Sequence, residues 1–150
     1  MADLDRATEL ARRESGLAVV VTGRVDGSVQ ASVVNAGVVD HPATGEPVVG
    51  FVVAKRGARK LTNLRARPYL AVVFRSGWEW VAVEGHAELA GPDDLLEGLE
   101  TADISTLLRT VYAAAAGGSP EDWAALDDTM AAEGHTVVLV RPHRVYSNPA

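Results

Sequence analysis

The chain has 150 residues, 47% of them hydrophobic, no cysteine, and a formal net charge of −6 at pH 7. That length suits one compact domain, residues 1–150, with a genuine core, and the lack of cysteine excludes disulfides, thiolate nucleophiles and cysteine-ligated zinc or iron–sulfur sites. The acidic balance argues against a nucleic-acid partner, no stretch reaches the roughly 20 apolar residues that span a bilayer, and the charged N-terminus is unlike a secretory signal, so a cytoplasmic location is expected.

MADLDRATELARRESG reads as an amphipathic helix with Leu4, Ala7, Leu10 and Ala11 on one side. LAVVVTGRV and SVQASVVN then flank Asp26-Gly27, which predicts two antiparallel strands joined by a tight two-residue turn. HPATGEP is a surface loop leading to a strand over 48–54, and a helix from about Ala58 must stop before Pro68. YLAVVF and WEWVAVEGHAEL flank Ser76-Gly77 as a second hairpin. Gly85, inside a long strand, predicts a bulge of the kind that closes a sheet. DISTLLRTVYAAAA carries Ile104, Leu107, Leu108 and Val111 at helical spacing and ends at Gly117-Gly118; SPEDWAALDDTM opens a further helix with Ser119, Pro120 and Asp122; HTVVLV returns a last strand. The fold class is mainly β with flanking helices: an antiparallel barrel of about six strands, helices packed outside.

Between Lys55 and Arg67 lie six of the fourteen basic residues (Lys55, Arg56, Arg59, Lys60, Arg65, Arg67) and no acidic one, while eight basic residues face all twenty acidic ones elsewhere. The island falls where a strand feeds a helix, and unpaired amides at a helix start favour phosphate. The plainer alternative is a solvated helix face whose arginine and lysine stems cover apolar neighbours. Trp78 and Trp80, two apart in a strand, point the same way, either as core or as a wall against a planar ring. The four histidines are scattered, Asp93-Asp94 and Asp127-Asp128 suit helix starts or faces, and no metal site, no Ser-His-Asp order and no nucleotide loop is recognised.

ARKLTNLRARP followed by GWEWVAVEGHAEL resembles the signature of the pyridoxamine 5'-phosphate oxidase-like split barrels, and more closely the actinobacterial group B of oxidoreductases that use the deazaflavin coenzyme F-420. The resemblance implies an FMN-binding split barrel-like fold and a homodimer with the cofactor at the subunit interface. It also implies a phosphate at the strand-to-helix turn from Lys55 to Asn63. Lys60 matches the phosphate-binding lysine, with Arg59, Arg56 and Lys55 beside it. Ala58 stands where relatives often carry a basic residue, and Asn63 fixes the helix start. Ser32, Val33, Val34 and Asn35 match the segment along the ring, and Trp78 and Trp80 match the aromatic cleft wall. The cofactor carries the hydride, so no catalytic side chain is assigned. Six basic residues suit the glutamate tail of F-420 better than the single phosphate of FMN. Three readings follow: an F-420-dependent reductase of an unsaturated or conjugated small molecule, an FMN-binding oxidase-like protein, and a carrier without turnover.

Overall fold

The computed structural model describes residues 3–100, 103–116 and 122–149. Helix α1 (Leu4–Arg13) starts at Asp3, whose carboxylate accepts from the amides of Asp5 at 3.1 Å and Arg6 at 3.2 Å. Six strands follow, β1 (Leu17–Gly23), β2 (Val29–Asp40), β3 (Pro47–Val53), β4 (Tyr69–Ser76), β5 (Glu79–Ala90) and β6 (Thr136–Ser147). They close into an antiparallel barrel in the order β1-β2-β3-β6-β5-β4. Helix α2 (Arg59–Ala66) lies between β3 and β4, and α3 (Ile104–Ala116) and α4 (Trp123–Glu133) lie between β5 and β6. Among the described residues no helix is long and apolar enough to cross a membrane.

Strand alternation sends Val20, Phe51, Val72, Phe74, Val81 and Val140 into the barrel, all fully buried. The two ends are plugged by helices. Leu10 of α1 joins that cluster at the end marked by Glu79, which binds Arg6 and Arg13, and Leu61 and Leu64 of α2 join it at the opposite end, marked by Thr22. A second core forms outside the sheet, where Val48, Val137 and Leu139 meet Leu107, Leu108 and Val111 of α3 and Met130 of α4.

The expected bulge is present at Glu84/Gly85, where β5 and β6 shift register. A Cβ on Gly85 would lie 2.0 Å from the Arg141 carbonyl oxygen, so only glycine lets the strands approach there. The same bulge admits Pro142 opposite Gly85, which is how β6 runs on to Ser147, well past HTVVLV.

Three local expectations are corrected. The first hairpin turns through five residues, Arg24–Ser28. Asp26 keeps a negative φ because its carboxylate accepts from the Ser28 amide (2.9 Å) and hydroxyl (2.6 Å), so Gly27 alone takes a positive φ, 89°. In the second hairpin Ser76 pairs with Glu79, which leaves Gly77-Trp78 as the turn and removes Trp78 from the strand that holds Trp80. Helix α4 is capped by Asp122, whose Oδ1 accepts from the Ala125 amide at 3.1 Å. Ser119, Pro120 and Gly117-Gly118 lie outside the described residues.

Candidate functional site

The chain leaves β3 at Val53 and turns through Ala54–Ala58, the Ala58 amide donating to the Lys55 carbonyl at 3.0 Å. Ala58 then caps α2 with no side-chain acceptor; the Leu61 and Thr62 amides turn back to the Ala58 carbonyl (3.1 and 3.4 Å), which leaves the Arg59 and Lys60 amides without an acceptor at the positive end of the helix dipole. Lys55 and Lys60 stand at the same place and line a cleft of about 650 Å³. Its walls are otherwise mostly apolar: Val33 and Val34 of β2, Val52 and Val53 of β3, Ala115 of α3, and Leu126 and Met130 of α4, with Ser15, Asn35, Tyr112 and His135 as the polar exceptions.

Two close approaches place the helical wall. A Cβ on Gly37 would fall 2.7 Å from the backbone of Ala114, and one on Gly16 would fall 1.9 Å from the Ala115 carbonyl oxygen, so the end of α3 rests directly on the sheet backbone. Tyr112 is thereby held over the cleft, edge-on to Trp123 with ring centroids 6.3 Å apart. Arg109 lies over the Trp123 ring, 5.2 Å from its centroid, and forks onto Asp127, whose carboxyl it holds below the ordinary carboxylate range through those hydrogen bonds. On the opposite rim Ser15 adopts a left-handed backbone, φ 55°, and the Asn35 side-chain amide donates to its carbonyl at 2.8 Å.

The cationic island is smaller in space than in sequence. Arg56 forks onto Asp93 (2.7 and 2.6 Å), Arg65 forks onto Asp94 (3.0 and 2.7 Å), and Arg67 donates to the carbonyls of Arg24 and Val25. Asp93 and Asp94 are thus partners of the island rather than residues at a helix start or face. The Arg56 hydrogen bonds hold the Asp93 carboxyl below its ordinary range. Lys55, Arg59 and Lys60 have no ion pair among the described residues.

Of the residues singled out in the sequence, Lys55, Ala58, Lys60, Val33, Val34 and Asn35 gather around the cleft. Arg59 is exposed next to them, and Arg56 is turned toward Asp93. Ser32 faces Val20 in the β1–β2 ladder and does not line the cleft. Asn63 does not fix the helix start. It is buried in the fifth position of α2 and donates to Thr22 Oγ1 (3.1 Å) and Gln30 Oε1 (3.2 Å), which pins the helix to the barrel. Trp78 is 93% exposed and, with the half-buried Trp80, Val73 and Arg75, bounds a separate hollow, so within one chain the tryptophans and the cleft stay apart. Tyr112, Leu126, Met130 and His135 were missed. Tyr112 continues the apolar stripe one turn beyond Leu108, and that was its only local signal. Among the described residues no three His, Asp or Glu side chains converge on a metal site.

No family model and no curated protein matches the chain in sequence. Solved structures do match it. They include a conserved hypothetical protein from Mycobacterium tuberculosis, 18% identical with a TM-score of 0.71 over 98% of this chain and 84% of that one. A pyridoxamine 5'-phosphate oxidase-related, FMN-binding protein from Nostoc punctiforme is 14% identical, TM-score 0.64, over 95% and 81%. An F-420 reductase is 18% identical, TM-score 0.52, over 88% and 90%. The likeness is one of fold, the six-stranded split barrel with flanking helices.

Proposed function

We propose that this chain, whose fold is the split barrel of the pyridoxamine 5'-phosphate oxidase-like proteins, binds coenzyme F-420 in the cleft beside α2 and passes hydride between it and an unsaturated or conjugated small molecule. One observation carries the reading: an apolar cleft of about 650 Å³ that ends at an uncapped helix start with two lysines. A planar ring suits Val33, Val34 and Val52, and a phosphate suits Lys60, Lys55 and the first amides of α2. When bound, the deazaflavin supplies the hydride chemistry. This chain's residues hold the phosphate, exclude water with Val52, Leu126 and Met130, and present Tyr112 on the substrate side. Exposed Arg59 and Lys55, unpaired at the rim, suit a tail carrying further carboxylates.

A second copy of the chain belongs to the same reading. Val19 faces Val33 on one side and Val73 on the other, and with Leu17 they form an apolar stripe on the outside of the barrel. Such a face favours a homodimer, in which Trp78 and Trp80 of one chain can reach the cleft of the other.

FMN is the second reading, favoured by the loss of Arg56 and Arg65 to Asp93 and Asp94, which leaves fewer cations for a polyanionic tail. Calorimetric titration with F-420 and with FMN at two ionic strengths tests the pair. Tighter F-420 binding that weakens with salt supports the leading function; tight FMN binding with no F-420 binding replaces it with the second.

A further inference from the structure

Helix α4 borders two spaces. Leu126 and Met130 line the cleft, and on the adjoining face Asp127 and Ala131 edge a hollow of about 280 Å³ completed by Leu95, Ile104 and Leu108. The two halves of the helix are held differently. Among its described residues only Met130, near the C-terminal end, is fully buried, and it sits in the second core. Gly134 then takes a left-handed φ of 69°, the His135 amide donates to the Met130 carbonyl at 2.9 Å, and Thr136 enters β6 opposite Val53. The stem of Arg56 packs on Gly134, where a Cβ would lie 3.0 Å from Arg56 Cδ. That end is a fixed pivot.

Among the described residues Trp123 to Asp128 none is fully buried. Leu126 leans on the second core, and α3 supplies the rest of the described hold: Trp123 stands edge-on to Tyr112 and beneath Arg109, which also forks onto Asp127. The Arg109 and Asp127 side chains are 40% and 25% exposed, so water competes for the pair and it holds weakly. A helix end with little apolar burial and a solvent-screened ion pair opens at low cost, and the hollow beside it leaves room for the movement.

We propose that α4 is a lid on the cleft: the helix swings about Gly134, Arg109 latches its free half through Asp127 and Trp123, and ligand enters and leaves when the latch is open. Met130, next to the pivot, moves least, and Leu126, one turn further from it, carries the cleft wall away. The lid goes beyond the cofactor reading above and does not depend on it.

The chain has no cysteine, so Arg109→Cys with Asp127→Cys creates a single pair, which 1,2-ethanediyl bismethanethiosulfonate bridges across the space the arginine side chain spanned and dithiothreitol releases. It has three tryptophans, so 5-fluorotryptophan gives three resonances, and Trp123→Phe identifies that of Trp123. In the reduced pair the Trp123 resonance should show millisecond exchange by fluorine relaxation dispersion, and bridging should abolish it, with Trp78 and Trp80 as controls. Stopped-flow mixing with FMN and with F-420 supplies the second readout. The bridge should slow both association and release roughly tenfold and leave the dissociation constant nearly unchanged, which a merely structural pair would not do. In the native chain Asp127→Asn, which keeps the size of the side chain and loses its charge, should speed release, and it stands in if the cysteine pair fails to fold. Trp123 exchange that is absent from both the reduced pair and Asp127→Asn, or that the bridge leaves unaltered, overturns the lid. Rates that neither the bridge nor Asp127→Asn alters overturn its gating of the cleft. Binding of neither FMN nor F-420 counts against the cofactor reading alone, and the fluorine exchange then decides the lid by itself.

Discussion

Arg56 and Asp93, 37 residues apart in the chain, close a fork of two hydrogen bonds, Nε to Oδ2 at 2.7 Å and Nη2 to Oδ1 at 2.6 Å. Arg65, in the last turn of α2, repeats it with Asp94. The two forks tie the turn before α2 and the helix itself to the loop after β5, and they neutralise two positive charges of the island. Asp93→Asn is therefore expected to free Arg56, strengthen binding of phosphate-bearing ligands and steepen its salt dependence. Titration of FMN or F-420 against both proteins at low and high salt checks this; unchanged affinity at both would mean that Arg56 lies beyond the ligand's reach.

Lys60 has no such partner. Lys60→Ala is expected to weaken binding of the same ligands by about 1–3 kcal/mol, the range for a hydrogen bond to a charged group, with the fold intact by circular dichroism. Arg65→Ala, already committed to Asp94, should leave affinity alone and lower the melting temperature instead.

Acid should loosen the forks in a defined direction. Asp93, Asp127 and Glu79 all have carboxyls held below their ordinary range, first by hydrogen bonds from Arg56, Arg109 and Arg13 respectively. A depressed folded-state value means that the stabilisation is complete above the ordinary carboxylate range and is lost as pH falls through the depressed value. Melting temperature should hold from pH 7 to about 5, by the reference carboxylate values, and drop below pH 4. In Asp93→Asn the acid drop should be shallower.

The apolar stripe predicts a particle of twice 15.8 kDa by light scattering at micromolar concentration. Val19→Glu, placed between Val33 and Val73, should yield a folded monomer. A wild-type monomer at that concentration would remove the dimer from the proposed site.

Asn63 carries a prediction of stability. Its Nδ2 serves both Thr22 and Gln30, so Asn63→Leu should cost about 1–3 kcal/mol in chemical denaturation, the penalty for stranding a buried hydroxyl. Thr22→Val in the same background should recover part of that loss, because both ends of the pair are then apolar.

The strands, the bulge at Gly85 and the helical stripe of Ile104, Leu107, Leu108 and Val111 were legible because each is a local pattern, period two or period 3.6, read within a dozen residues. Lys55 and Lys60 were legible for the same reason, as cations at a strand-to-helix turn. The turn of the first hairpin was misjudged because Asp26 bonds forward to Ser28, a competition between side chain and backbone that the dipeptide alone conceals.

The sequence by itself determined where the strands and helices fall and where the basic strand-to-helix turn lies, since side-chain alternation and helix starts are properties of neighbours along the chain. Only the tertiary structure decided how much positive charge that turn retains, because the partners of Arg56 and Arg65 come from 37 and 29 residues away, beyond a helix and two strands. It also decided that Tyr112 and His135 face the same cleft as Lys60, because barrel closure and the glycine seats under α3 bring together segments whose contact has no periodic trace in the chain.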